Sequence, residues 1–378
     1  MAAIWKSLTA VWLVLGVAAC ATVQPLPGAA AIDGEARRLM AAEDVKGMAL
    51  ALIDRGQVVH VAAYGVRNVE RNLLLETDTV MYGASLTKAA VAYLVLRLAD
   101  EGKIDLDKSI AEYLPKPLPD YEDYADLKGD ERWRELTVRR ILTHSTGFAN
   151  FRWLEEDQKL KFHRKPGERY GYSGEGYYVL QTVLEDGLKM NLGVEMQRRL
   201  FDRFGMPNTD MQWRPDFAKN LADGYDLDGK FEPHDERSAP SAPGSMDTTI
   251  VDAAMLWAGM VRGDGLSKTS RSELVKPQLP IVSASQFPTL SDATDLRGQE
   301  IALSAGLGVV TFDGPQGRTW FKGGHNDWTG NMAVCVEVGQ RCVVLLGNSV
   351  RAEKIYPALV RFILGDTAMP WWWEYGPG

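Results

Sequence analysis

The 378-residue sequence is poor in the residues that most often build metal and redox centres, with three cysteines and five histidines. His60, His144, His163, His234 and His325 are scattered, and neither H-E-x-x-H nor C-x-x-C occurs. This argues against a metalloenzyme, and no cofactor is expected. Charge of one sign is not gathered into runs either. The 42 Lys and Arg are interleaved with 50 Asp and Glu for a net charge of −8, and without a basic stripe a nucleic-acid partner is not expected. Internal repeats and low-complexity blocks are also missing. What is there is 46% hydrophobic and 24% charged residues, a globular composition with length enough for one large domain or two intertwined ones.

The first twenty residues stand apart. MAAIWKS carries one lysine, LTAVWLVLGV is an apolar run of ten residues, and AAC brings small residues up to Cys20. This is the layout of an export signal, and the run is too short to span a bilayer comfortably. GVAAC resembles the lipobox of bacterial lipoproteins, which implies cleavage before Cys20 and a lipid on Cys20 that makes a membrane the partner. On this reading 1–19 is a signal peptide and 20–34 a tether. Ala21 at the second mature position fits outer-membrane sorting, so an exported, periplasm-facing lipoprotein is expected.

Beyond the tether the patterns are mixed. DGEARRLMAA reads as a helix, and GMALALID and VVHVAAYG as two strands hinged at Arg55 and Gly56. From Ser85 to Asp100 the sequence is apolar almost all round, as in a buried helix, with Gly102 as its stop. LGVVTFD, RTWFKGG, NMAVCVEV and RCVVLLGN read as strands, followed by an amphipathic helix in RAEKIYPALVRFILG. A turn at Val338 and Gly339 places Cys335 opposite Cys342. A one-residue slip of that turn breaks the pairing, so two buried thiols are expected rather than a bridge. Strands at both chain ends with helices between them predict an α+β fold. Its antiparallel sheet is built from 35–108 and 295–378, and 109–294 forms a mainly helical insertion.

Ser85 and Lys88 stand three positions apart at the start of the buried helix. On one helix face a lysine at i+3 reaches back toward the serine hydroxyl, and the free N–H groups of the first turn suit a developing anion. The plainer alternative is a capping serine beside a surface lysine. That alternative is strained, because a lysine on an apolar buried helix must have a reason to be there.

KPGERYGYSGEGYYVLQTVLE places Tyr172 just ahead of a helix, and WFKGGHNDW places Lys322, Gly323 and Gly324 on a strand. With YGASLTK, these resemble in order and spacing the S-x-x-K, Y-x-N and K-T-G motifs of the class C β-lactamase family, which also contains penicillin-binding proteins and family VIII carboxylesterases. VRRILTHSTGF, EGKIDLDKSIAEYLP and APGSMDTTIVDAAMLWAGMV extend the resemblance over nearly all of 35–365. It implies a two-subdomain β-lactamase/transpeptidase-like fold and a serine hydrolase with an acyl-enzyme on Ser85. Lys88 and Tyr172 are the candidate bases, and both have solution pKa values of roughly 10. Lysines facing the phenol favour its phenolate while Tyr172 and burial act on Lys88, so the base stays open between the two. The resemblance further implies that Tyr172 relays a proton to the leaving group and that Lys322 orients it or binds a substrate carboxylate. It makes the backbone N–H groups of Ser85 and His325 the oxyanion hole.

The departures bear on substrate. Gly174 stands where the family has Asn, and Gly323 where it has Thr or Ser, so two β-lactam-binding side chains are missing. This favours an esterase-like activity on small ester or amide substrates. A β-lactamase proper, a D-amino-acid peptidase and a non-turnover penicillin-binding sensor remain as alternatives, and oligomeric state stays open. GYSGEG fails G-x-S-x-G at Glu175, so Ser173 reads as structural. His144 is expected to support a loop by hydrogen bonding, and PWWWEYGPG to pack on the protein body.

Overall fold

The computed structural model describes residues 25–376. The stretch read as a signal peptide, and Cys20 with it, lies outside the described residues. Nine strands form one antiparallel sheet. In chain order they are β1 (Gly47–Asp54), β2 (Gln57–Asn68), β3 (Leu73–Leu74), β4 (Leu279–Pro280), β5 (Ser304–Ala305), β6 (Val310–Gly314), β7 (Gly317–His325), β8 (Gly330–Val336) and β9 (Arg341–Gly347). The spatial order is β3-β2-β1-β9-β8-β7-β6-β5-β4, so the two chain ends meet where β1 pairs with β9.

The central strands β1, β8 and β9 are mostly apolar and buried at nearly every position because both faces of the sheet are covered. Ala49, Ala51 and Ile53 of β1 face one core, which holds most of helix α2 (Leu86–Asp100). Met48, Leu50 and Leu52 face the other core, with residues of α1 (Ala29–Ala42) and of the helix Tyr356–Leu364. The β1–β2 turn adopts left-handed backbone at Arg55 (φ 51°) and Gly56 (φ 70°), the conformation a two-residue hairpin turn requires.

Four expectations need correction. Helix α1 begins at Ala29, inside the stretch read as a tether, since the run of alanines there is strongly helix-forming. The sheet extends to Leu279 and Pro280, which pair with Ala305 and Ser304, so residues assigned to the helical insertion join the sheet edge. The C-terminal amphipathic segment is a 3₁₀ turn at Val350–Lys354 followed by a helix from Tyr356, with Pro357 in its first turn. Cys335 and Cys342 are bonded as a disulfide. The register places them directly opposite each other on β8 and β9, and no slip of the Val338–Gly339 turn separates them.

Candidate active site

Helix α2 starts abruptly. Ala84 has φ 45°, and Ser85 at the N-cap position makes no side-chain capping hydrogen bond, so its hydroxyl is free for another partner. Lys88 Nζ lies 3.0 Å from Ser85 Oγ and donates to the carbonyl oxygen of Pro243 at 2.6 Å. The Lys88 side chain is 1% exposed, and no carboxylate among the described residues pairs with it. Burial therefore holds its pKa well below the ordinary lysine value, and the charge of Lys322 adds to the shift.

Tyr172 comes from the loop ahead of helix α3 (Gly174–Thr182). Its ring centroid lies 5.0 Å from Lys88 Nζ and 5.0 Å from Lys322 Nζ. Lys322 Nζ is 3.4 Å from the Tyr172 hydroxyl and also donates to Gly323 O at 2.5 Å. The structure thus brings Ser85, Lys88, Tyr172 and Lys322 together. Of the two bases left open by the sequence, the Tyr172 phenolate is not favoured. Burial raises the Tyr172 pKa above the ordinary phenol value, and the hydrogen bond from Ser85 offsets this only in part. Burial also lowers Lys322, with Glu374 acting in the opposite direction.

The far wall is β7. Its pairing with β6 ends at Phe321, which leaves Lys322–His325 without a neighbouring strand on that edge. Gly324 is needed for close approach, because a Cβ there would sit 2.8 Å from Leu86 N and 2.9 Å from Ser85 N. Gly324 therefore lies against the first turn of α2. The His325 ring turns toward Glu353, with Nδ1 3.2 Å from Oε1.

Two side chains that sequence reasoning did not select fill the space beside Gly174 and Gly323. At Gly174 a Cβ would meet a ring carbon of Phe151 at 2.1 Å. Phe151 stacks on Trp153 with centroids 4.2 Å apart. Its loop is fixed by Arg152, which donates to the fully buried carboxylate of Glu175 at 2.7 and 3.0 Å. At Gly323 a Cβ would meet Glu374 Oε1 at 2.0 Å. Glu374 ends the short helix Trp371–Glu374, whose Trp373 packs between Tyr170 and Phe321. A third wall residue, Phe287, stands at the cis peptide bond Phe287–Pro288, and its ring meets those of Tyr172 and His325 edge-on at 5.5 and 5.6 Å. The sequence signal for Glu374 was a single acid inside W-W-W-E-Y. Phe151 and Phe287 carried none.

His144 and Ser173 are structural in their contacts. His144 Nδ1 accepts the Ser173 N–H at 3.1 Å, and its ring lies 4.3 Å from that of Tyr172. Burial, with the charges of Lys88 and Lys322, holds it far below the usual histidine pKa, which keeps Nδ1 an acceptor. Ser173 caps α3 by accepting from Gly176 N and donates to Ala149 O at 2.8 Å. Among the described residues no group of three or more His, Cys, Asp and Glu is placed to hold a metal, and no helix is long and apolar enough to cross a membrane.

A family model described as Beta-lactamase matches residues 32–364. A β-lactamase of Providencia stuartii is 25% identical over 203 residues, 51% of this chain and 50% of that protein. Protein flp of Staphylococcus aureus (strain MRSA252) is 22% identical over 200 residues, 49% of this chain and 38% of that protein. The chain therefore spans half or less of the length of these relatives. The D-alanine carboxypeptidase AmpC of Burkholderia cenocepacia superposes with a TM-score of 0.69 at 17% identity, covering 88% of this chain and 99% of that one.

Proposed function

Because the chain belongs to the Beta-lactamase family, we propose that it is a serine hydrolase that forms an acyl-enzyme on Ser85 and favours small neutral esters over β-lactams. The observation that carries the hydrolase reading is the 3.0 Å contact between Ser85 Oγ and the buried amine of Lys88. With the lysine neutral, Ser85 donates its proton to Nζ as Oγ attacks the ester carbonyl carbon. The N–H groups of Ser85 and His325 receive the oxyanion. As the C–O bond to the leaving group breaks, the alkoxide takes a proton relayed from the Lys88 ammonium through the protonated Tyr172, leaving Lys88 neutral. Water then attacks the acyl-enzyme by the same route in reverse, giving the free acid and Ser85. Lys322 orients the phenol. No step needs a cofactor.

The preference for esters rests on Phe151. Its ring fills the space at Gly174 where an amide would hold an acylamino group, and it offers an apolar wall to a short acyl chain. A second reading, a β-lactamase or D-amino-acid peptidase, is favoured by one observation, the buried cation of Lys322. Export and a lipid anchor on Cys20 belong to the same proposal and rest on the N-terminal sequence.

The test is a parallel assay of the mature protein, begun at Ala21, against p-nitrophenyl butyrate and nitrocefin, each with a Ser85→Ala control. Ser85-dependent ester turnover with little nitrocefin hydrolysis is expected. Ester turnover unchanged by Ser85→Ala overturns the hydrolase reading, and fast nitrocefin hydrolysis overturns the ester preference.

A further inference from the structure

Glu374 is a carboxylate placed in a reaction site that has no use for it in the chemistry above. It is 3% exposed. One oxygen accepts from Gln286 Nε2 at 2.9 Å, and the other, Oε1, has no hydrogen-bond partner among the described residues. That free oxygen lies against Gly323, between Lys322 and Gly324, where any side chain on residue 323 would displace it. Burial pushes its pKa up to about 7, while the charges of Lys322 and His325 favour its anion and that of Glu353 opposes it. Burying a carboxylate with an unpaired oxygen is unfavourable, and the aromatic anchoring of Trp373 against Tyr170 and Phe321 holds it there regardless.

We propose that Glu374 sets the charge preference of this site, excluding acyl donors that carry a carboxylate near the scissile bond and admitting neutral ones. The inference rests on the hydrolase reading. Lys322 is the buried cation that would attract an anionic substrate, and Glu374 supplies its counter-charge from within the protein. A second carboxylate entering beside Lys322 would be buried against Glu374. At about 5 Å and an effective dielectric of about 20, that repulsion corresponds to on the order of a hundredfold in binding. Attraction to Lys322 offsets part of it.

The test compares p-nitrophenyl butyrate with mono-p-nitrophenyl succinate, whose acyl group has the same length but ends in a carboxylate. Above about pH 7, where Glu374 is ionised, the chain begun at Ala21 is expected to prefer the butyrate, and Glu374→Gln to shift the ratio of kcat/KM toward the succinate by at least tenfold. Glu374→Ala, with folding checked by circular dichroism, is the second variant and shifts the ratio in the same direction. Calorimetric Kd values for phenylboronic acid and 3-carboxyphenylboronic acid read the same preference without turnover. A shifted boronate ratio with no ester turnover supports Glu374 and counts against the hydrolase reading. Ester turnover with both ratios unchanged overturns the role of Glu374 alone, and no boronate binding to any variant overturns both.

Discussion

Replacing Gly174 with Asn introduces the residue that the Y-x-N resemblance implies at this position, and the structure says that it will not fit. Carbon–carbon contacts settle at about 3.5–4.0 Å, whereas the new Cβ would stand 2.1, 2.4 and 2.8 Å from three ring carbons of Phe151. The ring must leave its stack on Trp153 or α3 must shift. Overpacking of this kind costs about 1–3 kcal/mol. Phe151→Ala alone loses about 1–2 kcal/mol for a half-buried ring and about 0.5–1.5 kcal/mol for the stack. With the ring already gone, the new amide side chain has room, so the double variant is expected to be about as stable as Phe151→Ala. The two changes then couple by about 1–3 kcal/mol. Urea denaturation of the four proteins closes the cycle, and nitrocefin turnover is expected to rise only in the double variant. Additivity of the two stability changes to within about 0.5 kcal/mol would refute the claim that Phe151 occupies the place of the missing amide.

Further outcomes follow from the electrostatics. If Lys88 acts as the neutral amine in the proposed mechanism, kcat/KM for a neutral ester rises with pH, through a group well below the ordinary lysine value of 10.5, and falls as acid protonates Nζ. A limb at that ordinary value, or activity that declines from neutral to mildly alkaline pH, would contradict this. Lys88→Met is expected to lose about 10²–10⁴ of the rate while retaining the fold. His144→Leu removes the acceptor for Ser173 N–H and is expected to cost about 1–3 kcal/mol, while lowering kcat more than it alters KM. Thermal unfolding and steady-state kinetics on the one variant check both, and an unchanged melting temperature would argue against the loop-supporting role.

The parts of the fold legible in the sequence were those governed by local chemistry. The Arg55–Gly56 turn, the start of α2 at Ser85 and its stop at Gly102 follow from backbone preference and apolar pattern, whereas the register that bridges Cys335 and Cys342 is fixed only by the pairing of β8 with β9. The grouping of Ser85, Lys88, Tyr172 and Lys322 was suggested by motif order and is present in the geometry. Phe151 and Glu374 were not legible, because each fills a space created by a glycine far away in sequence, residue 174 for one and 323 for the other. A missing side chain in the sequence says that room exists, but only tertiary packing says what takes it. The charge state of the phenol was not legible for a related reason. Neighbouring cations could be anticipated, whereas the burial that raises its pKa depends on how tightly Phe287, His144 and Tyr177 enclose the site.

The nucleophile can be tested directly by treating the chain begun at Ala21 with a fluorophosphonate, which transfers its phosphonyl group to an activated serine as fluoride leaves, and mapping the adduct by peptide mass spectrometry. A stoichiometric adduct on the peptide containing Ser85, lost in Ser85→Ala and strongly slowed in Lys88→Met, is the expected result. An adduct on Ser173 or another serine, or an unmodified Ser85 in a protein that still hydrolyses esters, would contradict the assignment of Ser85 and Lys88 as nucleophile and base.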